Sequence, residues 1–273
     1  MVKLYRKEVS VLPTTYAHYR FGRDVLAQLP AETQALINRH RDLFDFGVHG
    51  PDLLFYYKPL IRNHVNRTGY RDHERTGRDF FTEAAGNANA APDREAALSY
   101  LYGVLCHFAL DRCCHPYVAE KEREGVSHST IEASFDRYLL LRDGLDPVTH
   151  KVTAHLHPSR KSAGVIARFY PFLTVEEVFQ AEKQMLLFLN ALIAKGPKRQ
   201  VLVQAMRMAG KPHLEDLFIP YAQVPGCVDS DEILFRHYEE ALEMAKTLFA
   251  ELEAVLSGTG DFGPDFDHTF GEE

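Results

Sequence analysis

The sequence lacks tryptophan entirely and has only four cysteines, and its apolar residues never form a long unbroken run. No segment approaches the ~18 consecutive apolar residues of a membrane-spanning helix. The first ten residues also lack the apolar core of a secretory signal peptide. The cysteines, at positions 106, 113, 114 and 227, form no Cys-x-x-Cys pair and no disulfide framework typical of a secreted protein. We therefore expect a soluble protein without a transmembrane segment that stays in the cytoplasm.

An excess of positive charge is missing as well. The formal net charge is −7, from 31 basic and 38 acidic residues, which argues against nonspecific binding to nucleic acid or to anionic membrane surfaces. No strand-like alternation, internal repeat or Pro/Gly/Ser-rich linker is visible. The 273 residues suffice to bury a substantial core. These features predict an all-α protein, folded as a single compact multi-helix domain over residues 1–273.

Histidine is the one residue type in clear excess, with fourteen copies. Two segments repeat a nitrogen or oxygen donor at every fourth residue: His107-Asp111-His115 and His128-Glu132-Asp136. Residues four apart lie on one face of a helix. Imidazole and carboxylate are the ligands that zinc and similar ions prefer. The spacing therefore predicts a metal site with several ions between two central helices.

The residues before His107 are apolar on nearly every side, as expected of a helix that is buried all round. A buried ionised carboxylate at Asp111 then needs a partner, because it costs several kcal/mol otherwise. The alternative to a metal ion is a salt bridge to Arg112 or to a distant arginine, with His107 an ordinary core histidine. Pro116 disfavours helical geometry at His115, so the helix is predicted to end there.

Two details of these helices leave alternatives open. Ser129-Thr-Ile-Glu132 matches a capping box, in which Glu132 would bond to the backbone instead of a metal. If Ser127 is the N-cap, Glu132 is free to coordinate. Cys113 and Cys114 are soft donors beside the central helix, although small buried apolar residues are the more common role for such cysteines.

Further donors precede the central helix. His18 lies near the start of a predicted helix over residues 14–29. Asp52 follows Gly50-Pro51, a loop signal, and is placed to cap a helix or to reach into a cleft. The aromatic residues 55–57 after Asp52 are suited to the wall of a cleft that holds an apolar or quaternary-ammonium headgroup, or alternatively to the core.

The order of these donors resembles the zinc-dependent phospholipase C family, which shares its fold with single-strand-specific zinc nucleases. The resemblance covers about residues 14–141, and its most specific parts are the His-x3-Asp that ends an aromatic-rich helix and the Ser-His-Ser-x2-Glu segment. It implies an all-helical fold with zinc ions lining a cleft. The implied metal ligands are His18, Asp52, His73, His107, Asp111, His115, His128 and Glu132.

The resemblance also divides these ligands among ions. Asp52, His73, His107 and Asp111 would hold one zinc, and the set of His115, His128 and Glu132 a second. His18, with Asp111 bridging, would contribute to a third. Family enzymes complete that third site with an N-terminal tryptophan, which this chain lacks, so two or three ions are expected. His64 competes with His73 for one ligand position.

The activity implied by the resemblance is hydrolysis of a phosphodiester bond. Zinc lowers the pKa of a bound water from ~15.7 to near ~7, which supports in-line attack on phosphorus. Asp52 would complete the coordination or orient and deprotonate the water, and is the predicted catalytic residue. The expected substrate is a small-molecule or lipid phosphodiester. The alternatives are a zinc nuclease-like phosphoesterase, and a helical protein that binds metal without catalysis.

The second half of the sequence contains no comparable set of donors. His150, His155 and His157 fall in an irregular polar stretch and are predicted to be solvated. Long amphipathic helices are predicted over residues 174–196 and 229–258, with a scaffold role. The tail from Gly260 is predicted to be loose.

Overall fold

The computed structural model of the chain describes residues 15–271, which contain eleven α-helices, five 3₁₀ helices and no strand. The α-helices are α1 Tyr16–Leu26, α2 Ala31–Arg39, α3 Arg41–Gly47, α4 His64–Glu74, α5 Gly77–Asn89, α6 Arg94–Arg123, α7 His128–Arg142, α8 Arg160–Ile166, α9 Val175–Leu192, α10 Gly196–Met208 and α11 Ser230–Ser257. The 3₁₀ helices are Gly50–Tyr56, Ala167–Phe169, Pro212–Leu217, Pro225–Cys227 and Pro264–Asp267. The predicted all-α fold is confirmed.

Helix α6 is the centre of the fold, as its apolar composition predicts. Nearly every residue from Ala96 to Asp111 is buried, and α3 and α11 pack closely against the helix. Glycines permit this close packing. A Cβ atom on Gly47 of α3 would lie 2.3 Å from the Tyr100 carbonyl oxygen, and one on Gly103 would lie 2.4 Å from the Phe44 carbonyl oxygen. The backbones of α3 and α6 therefore touch directly.

Helix α6 continues through Pro116 to Arg123, so the prediction that it ends at His115 is wrong. A proline inside a helix removes one backbone hydrogen bond. Here Cys114 and Val118, on either side of the proline, are both buried, and their packing offsets that loss. The consequence is that His115 stays on the face of α6 that carries Asp111.

The start of α7 shows which of Ser127 and Ser129 caps this helix. The Ser127 side chain accepts a hydrogen bond from the Thr130 backbone nitrogen and is the N-cap, so Glu132 is not needed for capping. Asp136, the third donor of the repeat on α7, has another role. Its carboxylate is buried and accepts hydrogen bonds from three successive backbone nitrogens, those of residues 15, 16 and 17, at 2.8 to 3.1 Å. Asp136 thus caps α1 from across the chain.

The C-terminal tail is packed, which contradicts the prediction that it is loose. Phe262, Phe266 and Phe270 are buried in an aromatic cluster with Phe81 and Phe108. Their spacing of four residues brings one ring after another to the same side. The tail also meets the start of α5 at an isolated antiparallel bridge between Thr76 and Thr269.

One continuous cluster of buried side chains runs through residues 16–270. The extent of a single domain over the full chain stays a prediction, because residues 1–14 lie outside the described part. Among the described helices, none combines the length and the apolar character needed to span a bilayer.

Candidate metal centre

The eight predicted metal ligands meet between the central helices, although they come from α1, the 3₁₀ helix Gly50–Tyr56, α4, α6 and α7. Within residues 15–271 they form three groups, in each of which one donor atom per residue lies within 4.8 Å of the others. We call them the Asp52 group (Asp52, His73, His107), the Asp111 group (His18, His107, Asp111) and the Glu132 group (His115, His128, Glu132).

The Asp52 group depends on a tight turn before the 3₁₀ helix. Gly50 has φ +48°, and a Cβ there would lie 2.5 Å from Cδ2 of the His107 ring, so only glycine fits. This close approach places Asp52 Oδ2 3.9 Å from His107 Nε2, while Oδ1 lies 2.9 Å from His73 Nε2. Asp52 therefore faces two imidazoles instead of capping a helix.

Asp111 stands at the middle of the three groups. Its carboxylate lies 3.0 Å from Nε2 of His107, 3.4 Å from that of His18 and 3.7 Å from that of His115. Burial alone would raise the pKa of Asp111, but these imidazoles outweigh it and hold the pKa well below the ordinary value. The alternative partner Arg112 pairs instead with Asp265 at 3.7 Å, and within residues 15–271 the ion-pair partners of Asp111 are histidines, not a distant arginine.

The Glu132 group spans α6 and α7. Glu132 Oε1 lies 3.0 Å from His128 Nε2 and 3.8 Å from His115 Nε2. Burial opposes ionisation of Glu132, but His128 and His115 prevail and hold its pKa well below the ordinary value. Burial also disfavours a charged His115, yet Asp111 and Glu132 raise its pKa to about 9. The carboxylates thus make this pocket strongly favourable for cations.

Several of the imidazole rings are oriented by a contact at Nδ1, the ring nitrogen that does not face the carboxylates of the centre. Nδ1 of His73 donates to the Gly69 carbonyl oxygen at 2.8 Å, and Nδ1 of His115 donates to the Phe270 carbonyl oxygen at 2.9 Å. Each bond turns the Nε2 atom towards the carboxylates, an arrangement typical of metal-bound histidine. Glu122 Oε2, 3.4 Å from His128 Nδ1, supports that ring in the same way. Sequence reasoning missed Glu122 and Phe270, because neither forms part of a spacing pattern.

The donors fit zinc. His107 is fully buried, and within the described residues neither of its ring nitrogens makes a hydrogen bond of acceptable geometry; the same holds for Nδ1 of His18. A buried polar atom without a partner costs ~1–3 kcal/mol, and coordination by Nε2 of His107 would remove that cost for one atom. Mixed imidazole and carboxylate sets of three are those of catalytic zinc sites, which keep a position open.

The alternative ligands considered from the sequence, His64, Cys113 and Cys114, lie outside the three groups. His64 is exposed and pairs with Glu177 at 2.6 Å, so His73 and not His64 joins the centre. Cys113 Sγ lies 3.9 Å from Met244 Sδ, and buried Cys114 has a pKa raised well above its ordinary value by burial. Neither cysteine belongs to a candidate metal group in the described part of the chain.

The aromatic residues after Asp52 belong mainly to the core. Phe55 is buried and stacks on the His73 ring with centroids 5.2 Å apart, and Tyr56 is fully buried. Phe55 therefore supports a ligand instead of lining an open cleft. The prediction of a solvated His155 is also wrong: it is buried, stacks on Tyr19 and places Nε2 2.9 Å from His49 Nε2.

An all-helical fold that gathers five imidazoles and three carboxylates around shared positions is that of a metal-dependent hydrolase with more than one ion. A family model described as "Zinc dependent phospholipase C" matches residues 17–177, more than half of the chain, and the protein belongs to this family. It is accordingly a zinc-dependent phosphoric diester hydrolase. Comparisons with curated proteins and with solved structures returned no match.

Proposed function

We propose that this enzyme cleaves the phosphodiester bond of a phospholipid, with zinc held by the Asp52 group and the Glu132 group. His107 belongs to two of the three groups, but its Nε2 atom can bind only one ion. Assigning that atom to either group leaves two complete sets of three ligands. We assign it to the Asp52 group, because Asp111 faces both His107 and His115 and can then serve both sets. Bound zinc would lower the pKa of a water molecule and neutralise phosphoryl oxygens.

The Asp111 group then serves to join the other two groups. Without the His107 nitrogen, His18 and Asp111 supply only two donors, which is too few for a closed zinc site. Asp111 lies within 3.7 Å of an imidazole from each of the other two groups, so its two oxygens suit a bridging carboxylate. We therefore place two ions per chain, joined through Asp111.

Asp52 is the proposed general base. It is the only carboxylate of the centre carried by a 3₁₀ helix, and its two oxygens face His73 and His107 at different distances, 2.9 and 3.9 Å. The oxygen farther from its imidazole is the better placed to accept a proton from the attacking water. The nearer oxygen stays with His73 and fixes the direction of the carboxylate.

The preference for a lipid rests on an apolar pocket beside the centre. Its volume is about 40 Å³, and it opens partly to solvent. Tyr56, Asp136 and Thr15 form one side of the pocket, and each lies three or four residues from a proposed ligand, Asp52, Glu132 and His18 respectively. Apart from His150, the other walls are aliphatic or aromatic, including Val148, Val152, Phe188, Leu189, Leu192 and Ile219. Such walls suit part of an acyl chain and offer little to a nucleotide.

A substrate comparison tests the lipid assignment. Zinc-loaded protein is offered a short-chain phospholipid, a chromogenic water-soluble phosphodiester and a single-stranded oligonucleotide. We expect the highest kcat/KM on the phospholipid, and Leu192→Asn should lower that value ~10-fold while leaving the soluble diester unchanged. Preference for the oligonucleotide would contradict the lipid assignment.

The role of Asp52 is tested separately. Asp52→Asn should reduce turnover of the soluble diester by ~10²-fold or more, the scale of a lost general base, while most of the zinc stays bound. Elemental analysis of the same sample measures the bound metal. Wild-type turnover in Asp52→Asn would remove this residue from the mechanism.

A further inference from the structure

The segment between Asp52 and His73, which includes part of a 3₁₀ helix, a loop and most of α4, carries an unusual charge distribution. Residues 53–71 contain four Lys or Arg and no Asp or Glu, in a chain of net charge −7. The four cations are Lys58, Arg62, Arg67 and Arg71, and all are exposed. Arg71 is partly neutralised by buried Asp72, 3.3 Å away, but the other three have no ion-pair partner within residues 15–271. This segment therefore presents an isolated positive patch on an acidic protein.

The loop of this segment, residues 57–63 between the 3₁₀ helix and α4, is apolar at its tip. Leu60 and Ile61 lie between Lys58 and Arg62, and their exposed fractions are 54% and 65%. Helix α4 begins directly afterwards with Asn63 as its N-cap, so the loop has a defined shape and its apolar side chains still point to solvent. Exposing two adjacent large aliphatic residues has a free-energy cost in water that a binding partner would remove.

Helix α9 extends this apolar surface. The Lys58 backbone nitrogen donates to Gln184 Oε1 at 2.7 Å, and Leu187, one turn further along α9, is 66% exposed. At the other end, the Arg71 guanidinium lies over the ring of Phe172, which is 72% exposed. Large apolar side chains thus follow the contact between the loop, α4 and α9.

We propose that this surface, here called the docking face, binds the surface of an anionic phospholipid bilayer. It consists of Leu60, Ile61, Phe172, Val175 and Leu187 with Lys58, Arg62 and Arg67. The acids beside it are Glu176 and Glu177, which pair with Arg160 at 3.0 Å and with His64 at 2.6 Å. Even with His64 neutral, three unpaired cations outnumber the single uncompensated acid Glu177, so the net charge on this face is positive, the sign that an anionic bilayer attracts.

A bilayer suits the docking face better than a protein partner does. Its apolar side chains are few and are spread over the loop, residues 172–175 and α9, whereas a protein interface of useful affinity has a continuous, well-packed centre. Side chains of this kind enter the boundary between headgroups and acyl chains, and Lys and Arg bind the phosphates above them.

The position of the face gives it a function. The loop that carries Leu60 and Ile61 joins the element with Asp52 to the helix with His73, and Tyr56, just before the loop, lines the apolar pocket. Docking would hold the metal centre at the level where a phospholipid headgroup lies. The inference deepens the proposed function and rests on it for the identity of the substrate, but binding to the bilayer is measurable without hydrolysis.

Vesicle sedimentation with the zinc-loaded full chain, kept cold and brief so that little lipid is hydrolysed, tests the inference. The vesicles contain phosphatidylcholine alone or with phosphatidylglycerol. We expect binding that requires phosphatidylglycerol and weakens as salt is raised. The double variant Leu60→Ser/Ile61→Ser and the double variant Arg62→Glu/Arg67→Glu should each reduce the partition coefficient ~10-fold or more.

Matched controls separate the face from general surface effects. Val201→Ser/Met208→Ser changes two residues on α10 that are 68% and 75% exposed, and it should bind as wild type does. Arg123→Glu/Arg236→Glu makes the same change in net charge outside the face. All four variants should keep wild-type turnover of the soluble diester, and the two face variants alone should lose turnover of vesicle lipid.

The outcomes distinguish the docking face from the proposed hydrolysis of phospholipid. Face-dependent binding by a protein that hydrolyses no phosphodiester supports the docking face and overturns the proposed function. Hydrolysis of vesicle lipid that the face variants leave intact overturns the docking face and leaves the function standing. Equal loss in the control variants, or a wild-type dimer that Leu60→Ser/Ile61→Ser dissociates without any vesicle binding, also overturns the docking face.

Discussion

The carbonyl oxygen of Phe270 accepts a hydrogen bond from Nδ1 of His115 at 2.9 Å, so the end of the described chain orients a metal ligand 155 residues earlier. The same residue packs its ring against His73 and His107. Gly271, the next residue, donates from its backbone nitrogen to the His73 carbonyl oxygen at 3.2 Å. The C-terminal tail is thus part of the support of the metal centre, although it lies far beyond the residues that the family model matches.

Phe270→Ala should weaken zinc binding as well as stability. Truncation of a buried aromatic ring costs about 3–5 kcal/mol. Loss of the ring also loosens the tail that places the Phe270 carbonyl oxygen against His115 Nδ1, and a histidine that is less well oriented binds metal ~10–100-fold more weakly. Phe266→Ala is the matched control, since its ring packs in the same cluster without contacting an imidazole of the centre. Zinc affinity measured by competition with a chelator should fall much further in Phe270→Ala. Equal losses in both variants would show that the tail acts through stability alone.

Purified protein should contain about two zinc ions per chain, because the shared His107 leaves two complete ligand sets. Glu132→Ala removes one of the three donors of the Glu132 group outright and should reduce the content to about one, whereas Asp52→Asn keeps an amide oxygen as a donor. Elemental analysis after incubation with zinc measures these values, with the exposed Glu239→Ala as a control expected to match wild type. A content near zero in wild type would contradict preassembled sites.

Asp111→Asn should remove more metal than any other single substitution. The change preserves the shape of the side chain but removes the negative charge that faces His18, His107 and His115. Loss of a bridging charge weakens both ions, whereas His107→Ala should affect mainly the Asp52 group. The measurement is zinc content across a chelator series. Wild-type binding by Asp111→Asn, with loss in His107→Ala, would disprove the bridging role.

Gly50→Ala should disrupt the Asp52 group specifically. A left-handed conformation costs an alanine about 1–2 kcal/mol, and the new Cβ would also meet the His107 ring at 2.5 Å. Gly210 has φ +70° with no neighbour within 4 Å, so Gly210→Ala carries the conformational cost without the clash. We expect both variants to lose stability by denaturant titration, but only Gly50→Ala to lose about one zinc. Retained zinc in Gly50→Ala would show that the turn does not position Asp52.

The buried carboxyl group of Glu182 lies outside the metal centre, and it should make the free energy of unfolding depend on pH. Burial raises its pKa to about 8, although hydrogen bonds from Ser162 and Ser159 to Oε2 lower it. Between its ordinary value of 4.5 and about 8, the folded state holds a proton that the unfolded state has lost. The free energy of unfolding therefore falls as pH rises through this window, by up to about 1.4 kcal/mol per pH unit from this group.

Glu182→Gln should remove that contribution, because glutamine stays neutral. Denaturant titrations of zinc-free protein at pH 5, 6, 7 and 8 give the free energy of unfolding, and the difference between wild type and Glu182→Gln isolates this residue. Glu239→Gln should keep the wild-type slope. A difference that is flat across pH 5–8 would mean that folded Glu182 is ionised throughout.

The helical fold and the shared helix faces of the candidate ligands on α6 and α7 could be predicted from the sequence, because both depend on local spacing. The i, i+4, i+8 repeat of His107, Asp111 and His115 predicts one helix face whatever surrounds it. His73 and Asp52 were assignable only through the resemblance to a family, since no local pattern distinguishes His73 from His64. Geometry separates them: His73 meets Asp52, and His64 pairs with Glu177 on the surface.

The sequence by itself determined the donor types and, through the helical period, which donors of α6 and α7 share a helix face. The tertiary structure decided what those donors meet. Asp136 completes the donor repeat on α7, yet it caps α1, because three free backbone N–H groups at that helix start lie within reach of its carboxylate. Pro116 predicts a helix end, yet α6 continues through it, because packing of the flanking residues offsets one lost hydrogen bond. Contacts between residues more than a hundred positions apart are set by how the helices pack, and a local spacing pattern carries no information about them.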